Sequence, residues 1–196
     1  MPCLSIELDG TRVTMISLAD MDVVDVSVHG ALDRNPKAGL HAMGVNPSAG
    51  GSGSLIWLPE QALLAGQVVR VTLLEACEEP DRGRTMEEIF PDDEPCMQTD
   101  FTISEAMAAE IRARPQLHQA FAVQASTSQG QQAVAVSDPR NTSFTFGVVW
   151  DFTRPDQARV RLTSHCLDDV LARRAGPSHL QALLSLGDSA SFVLIA

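Results

Sequence analysis

Alternation of apolar and polar residues, broken by tight-turn signals, constrains this chain more than any other feature. Leu4-Ser5-Ile6-Glu7-Leu8 alternates strictly. Asp9-Gly10 follows, and Arg12 to Leu18 resumes the alternation. Asp-Gly between two such runs is the signature of a two-residue hairpin turn, in which both central residues take positive φ. Val24, Val26 and Val28 then fall on one face of a third run, with Asp25 and Ser27 on the other. A period of two with one apolar face predicts half-buried strands. The same pattern returns at Val69-Val71-Leu73, in 121–127 and 132–137 around Ser128-Gln129-Gly130, in Phe144-Phe146-Val148-Trp150, and in 158–164. The stretch 191–196, Ser-Phe-Val-Leu-Ile-Ala, reads as a closing buried strand.

Between these runs the pattern changes. From Leu32 to Ser54, Pro36, Gly39, Gly44, Pro47 and a Gly/Ser cluster predict a long loop, mobile at Gly50 to Gly53 and fixed by Trp57. Ser54 to Leu58 reads as a short strand, and Pro59 to Gly66 as a turn or one helical turn. Three helices are expected. The first spans 102–114, where Thr102 and Glu105 have capping-box spacing and Ile103, Met107 and Ile111 form one face. The second spans 165–175, with acidic residues first, Arg173-Arg174 last and Gly176-Pro177 as its stop. The third is expected over 178–186. The fold class is therefore α+β, mainly antiparallel β: a β-sandwich or two packed sheets with two or three peripheral helices.

The chain of 196 residues is expected to form one domain. The alternative is two β-rich halves, 1–74 and 101–196, joined by the segment 75–100. One internal echo supports halves: Leu55-Ile56-Trp57 precedes Val69-Arg70-Val71-Thr72 much as Val148-Val149-Trp150 precedes Val160-Arg161-Leu162-Thr163, and Cys77 and Cys166 follow.

Charge decides the functional classes. The formal net charge is -11, and thirteen of the fourteen basic residues are Arg, Lys37 being the one Lys. A chain of this sign repels nucleic-acid phosphates and anionic membrane surfaces, so neither is an expected partner. Ten acidic residues fall between Glu75 and Asp100 against Arg82 and Arg84. Most of the net charge therefore sits in that segment. Glu78, Glu79, Asp81, Asp92, Asp93 and Glu94 are its candidate contacts for a basic protein partner.

Chemistry-bearing motifs are incomplete. The Gly44–Ser54 cluster has no lysine after it for a phosphate loop, no third glycine for a dinucleotide turn, and no Ser between glycines leading into a helix for a nucleophile elbow. The five histidines are scattered, no Cys-x-x-Cys exists, and "PDDEP" lacks the calcium-loop pattern, so no metal or cofactor is expected. Cys3, Cys77, Cys96 and Cys166 are too dispersed for a disulfide scaffold. The N-terminus has no basic-then-apolar leader and no run is long enough to span a bilayer, so a cytoplasmic location is expected. Trp57 and Trp150 are expected in the core. The leading expectation is a non-catalytic interaction protein, immunity- or inhibitor-like, using the acidic segment. The rivals are a hydrolase built on Cys166/His165 or on a serine of the Gly/Ser cluster, and a structural module that builds oligomers.

Overall fold

The computed structural model describes residues 1–46, 53–92 and 103–195. Among the described residues there are twelve strands: β1 Cys3–Leu8, β2 Thr11–Ser17, β3 Val23–Ala31, β4 Ala38–Val45, β5 Ser54–Leu63, β6 Val68–Leu74, β7 Ala122–Thr127, β8 Gln132–Val136, β9 Ser143–Asp151, β10 Gln157–His165, β11 Ser178–Ser185 and β12 Ser189–Leu194. Three short helices accompany them: α1 Met86–Ile89, α2 Glu105–Ala113 and α3 Leu167–Leu171. The strands form two six-stranded antiparallel sheets. The first has the order β2-β1-β6-β12-β7-β8, and the second β11-β10-β9-β3-β4-β5.

The sheets pack face to face through the apolar side of each alternating run. Leu4 and Ile6 of β1, Val69, Val71 and Leu73 of β6, and Phe192 of β12 meet Val24, Val26 and Val28 of β3 and Phe144, Phe146 and Val148 of β9 in one buried cluster. Phe192 bridges the layers, with its ring centroid 5.7 Å from that of Phe144 and 5.3 Å from that of Phe146. Phe121 adds a tilted contact to Phe144 at 4.9 Å. The expected β1–β2 hairpin forms, with Asp9 and Gly10 both at positive φ.

The strand orders contain an internal symmetry. Exchanging each strand of β1–β6 with the one six places later reproduces both sheet orders, reversed. Each half contributes three strands to each sheet. The echo between 55–72 and 148–163 does not follow this symmetry: β5 and β6 lie in different sheets, whereas β9 and β10 are hairpin partners. A trace that does follow it is Gln61-Ala62-Leu63-Leu64 and Gln181-Ala182-Leu183-Leu184. Each leads from its sheet to the other through a positive-φ glycine, Gly66 and Gly187, which follows the run one residue later in the second case.

Several expectations are corrected. Where a helix is expected over 178–186, Ser178–Ser185 form strand β11: Leu180, Ala182 and Leu184 face inward on a period of two, and pairing with β10 satisfies the backbone. Leu183, which made the spacing look helical, is left 43% exposed. The long loop is interrupted by β4, whose inward residues Ala38, Leu40 and Ala42 alternate with Gly39, His41 and Met43. Small residues hid that period. Pro59 does not start a turn but lies within β5. An edge strand loses no ladder hydrogen bond to a proline whose missing N–H faces away from its partner, and β5 carries register shifts opposite Leu40–Met43. Helix α2 starts later than expected, capped by Ser104, whose hydroxyl accepts from Met107 N. Helix α3 is shorter than expected and begins after Cys166. The Gly/Ser cluster at 47–52 lies outside the described residues, and so does Thr102.

Candidate functional site

Leaving β6, the described part of the acidic segment is held against the sheets. Asp81 docks on the edge strand of the first sheet: its amide donates to Met15 O at 2.8 Å, and its Oδ2 accepts from Met15 N at 2.7 Å and Thr14 Oγ1 at 3.0 Å. Three residues on, Arg84 pairs through its backbone with Ile56 on β5, an edge of the second sheet. Gly83 between them is buried, and a Cβ there would stand 2.9 Å from Leu55 Cβ and 3.0 Å from the Trp57 ring. Trp57 packs on the core and donates Nε1–H to Asp81 O at 2.9 Å. Residues 81–84 are thus a strap joining the β2 and β5 edges and covering backbone that would otherwise offer itself to another strand. Thr85 then starts α1 with a capping box: Glu88 N donates to Thr85 Oγ1, and Thr85 N to Glu88 Oε2. Arg82 is tied to Glu88.

Of the six candidate partner contacts, Glu78 and Glu79, which precede this strap in sequence, and Asp92, which follows α1, are exposed. Asp81 is instead committed to β2. Asp93 and Glu94 lie outside the described residues. Replacing Asp81 with Ala should cost about 1 kcal/mol through the lost hydrogen bonds. It should also raise amide exchange at Met15 selectively, while an unchanged Met15 rate would show that the strap is not held there.

The thiol candidate is placed differently from what a nucleophile needs. Cys166 is the N-cap of α3, and its Sγ donates to Asp169 Oδ2 at 3.4 Å. The Cys166 hydrogen bond, ahead of Arg174, holds Asp169 below the ordinary carboxylate range. His165 lines a separate hollow with Arg112, Arg114 and Leu167, and burial holds it below the usual imidazole value. Ser52 lies outside the described residues. Cys3 is fully buried, and burial together with the Cys77 thiol pushes it up to about 12, so it stays a protonated core thiol.

A further polar cluster among the described residues was not singled out in the sequence. It lies on the outer face of the second sheet. Ser27 on β3 pairs in register with His41 on β4 and with Gly147 on β9. The Ser27 hydroxyl lies 2.6 Å from Asp25 Oδ2, 3.0 Å from His41 Nδ1 and 3.2 Å from His29 Nε2, and His29 Nδ1 lies 3.2 Å from Thr145 Oγ1. One assignment closes the network: Ser27 donates to Asp25, both imidazoles donate to Ser27, and Thr145 donates to His29. This is not a nucleophile arrangement. The serine proton points to a carboxylate rather than to an imidazole nitrogen, and the residue is only 2% exposed, so no substrate reaches its oxygen. The available signal was the polar face of β3, Asp25-x-Ser27-x-His29, which reads as a solvent face until the register brings in His41 and Thr145.

Burial, and after it the His41 ring, hold His29 below the ordinary imidazole value, against a raising effect of Asp25. A histidine kept neutral in the fold but free to protonate when unfolded gives stability that is full above about pH 6.5 and falls as pH drops below it. His165 acts in the same sense. The urea midpoint should therefore be lower at pH 5.5 than at pH 7.5, and His29→Gln should shrink that difference. An equal midpoint at both values would contradict it.

No helix among the described residues is long and apolar enough to cross a membrane. No family model, curated protein or solved structure matches this chain.

Proposed function

We propose that this protein is a non-catalytic interaction module that presents its acidic segment to a basic protein partner, in the manner of an inhibitor masking a cationic site. The observation that carries the reading is the strap. Asp81 and Arg84 fasten the segment to two sheet edges, so the exposed carboxylates of Glu78, Glu79 and Asp92 flank a fixed backbone rather than a free tail. A fixed array of like charges steers an oppositely charged partner and loses less entropy on docking than a disordered one. Ten acidic residues within 26 positions supply the charge. A cytoplasmic setting belongs to the same reading and is supported by the free thiols of Cys3, Cys77 and Cys166.

The test is comparative capture. The immobilised chain and a variant carrying Glu78→Gln, Glu79→Gln, Asp92→Asn, Asp93→Asn and Glu94→Gln are each exposed to cell extract at low salt. A control variant neutralises five carboxylates elsewhere: Glu7, Asp20, Asp22, Asp156 and Asp188. Basic proteins held by the parent and by the control, but lost from the strap variant, are the expected result. Identical capture by all three would refute the reading.

A further inference from the structure

The outer face of the second sheet carries a hollow of about 330 Å³ beside the Ser27 network, lined by Asp25, Thr145, Gly147, Arg159, Arg161 and Thr163. Its floor is Gly147. This glycine is not required by the backbone: its φ is not positive, and an added Cβ would come no closer than 3.8 Å to Asp25 Oδ1 and 4.0 Å to Ser27 Cβ. The missing side chain leaves open space in the centre of a sheet, where a β-branched residue would otherwise pack well.

The walls have complementary chemistry. Arg161 pairs in register with Gly147 on one side, and Ser27 on the other. Arg159 stands two residues from Arg161 on the same face and is paired with Asp151 at 3.0 Å. Arg161 makes no ion pair among the described residues, although the chain carries a net charge of -11. Across the glycine floor, Asp25 uses Oδ2 to accept from Ser27, and its Oδ1 is the atom nearest the open space. Thr145 and Thr163 are cross-strand partners that close one end.

We propose that this hollow binds a small molecule bearing an oxyanion, carboxylate or phosphate, together with a hydroxyl or ammonium donor a few atoms away. Arg161 takes the oxyanion through its planar fork, as guanidinium does with carboxylate and phosphate, and Arg159 adds positive potential. The donor meets Asp25 Oδ1. The volume lies at the small end of the range for ligand pockets, which matches a compact polar ligand rather than a polymer. The site is independent of the acidic strap.

The test titrates the whole chain with glycerol phosphate, serine, acetate, inorganic phosphate and ethylammonium, following amide shifts on the second sheet. Glycerol phosphate and serine should bind at millimolar or lower concentration and more tightly than phosphate or acetate, which lack the donor. Ethylammonium should not bind. Arg161→Gln should weaken binding at least tenfold. Gly147→Val should abolish it by filling the floor of the hollow, with a urea midpoint near the parent's showing that the variant is folded, and Gly147→Ala, whose Cβ has room, should leave the midpoint unchanged. The relative affinities of glycerol phosphate and serine tell phosphate from carboxylate as the preferred anion. No binding of any oxyanion at 10 mM (about the limit of a specific weak site), or equal binding by parent, Arg161→Gln and Gly147→Val, would overturn the proposal.

Discussion

Replacing Phe192 with alanine should lower the unfolding free energy by about 3–5 kcal/mol, the range for removing a buried aromatic ring. Phe192 is fully buried on β12 of the first sheet, and its ring lies against Phe144 and Phe146 on β9 of the second. The contact joins the two layers where the core is most aromatic. The cavity left behind would be lined by side chains held on both flanks by paired strands, so little collapse can refill it. A urea titration reads the loss directly as a lower midpoint with a similar slope. A loss under about 1 kcal/mol would mean that the sheets do not pack through this ring.

Gly30→Ala should cost about 3 kcal/mol, at the upper end for overpacking a core. Gly30 sits on β3 directly opposite Phe144, and the ring lies over it: an added Cβ would come within 2.3 Å of Phe144 Cε1 and Cζ and 3.0 Å of Lys37 O. Neither side can yield cheaply. Gly30 is paired on both flanks, with Ala38 and Phe144, and the Phe144 ring is wedged between Phe121 and Phe192. The glycine is needed for space, not for its backbone angles. Phe144→Leu should therefore recover part of the loss when combined with Gly30→Ala, giving a non-additive cycle. Strict additivity would place the two residues out of contact.

The parts of the fold that were legible follow from a strict period of two. β1, β3, β6, β9 and β10 place large apolar residues at every second position toward the core, and the Asp9-Gly10 turn has the chemistry its hairpin needs. What failed has an equally specific cause. β4 buries Ala38, Leu40 and Ala42 beside glycines, so its apolar period is too shallow to see. β11 has leucines at both helical and strand spacing, and pairing with β10 decides between them. Pro59 is tolerated because β5 lies at an edge, and edge position is a property of topology rather than of local sequence.

The candidate sites divide in the same way. The acidic character of 75–100 was visible as composition, but the docking of Asp81 on β2 was not, since it links residues 66 positions apart. The Asp25, Ser27, His29, His41 and Thr145 network depends on three strands coming into register, and so does the hollow between Arg161 and Asp25. Each contributing strand shows only an ordinary polar face. Cys166 and His165 drew attention through adjacency in sequence, yet adjacent residues of a strand end point to different surroundings: the thiol meets Asp169 and the imidazole lines another hollow.

If the carboxylates that flank the fixed strap in sequence recruit a basic partner, as we propose, association must depend strongly on salt. For a captured partner, the association rate constant should fall about tenfold or more between 50 and 300 mM NaCl, while the dissociation rate constant changes far less, as electrostatic steering requires. The strap variant should associate slowly at both salt concentrations. An association rate independent of salt, or one unchanged by neutralising Glu78, Glu79, Asp92, Asp93 and Glu94, would contradict the account.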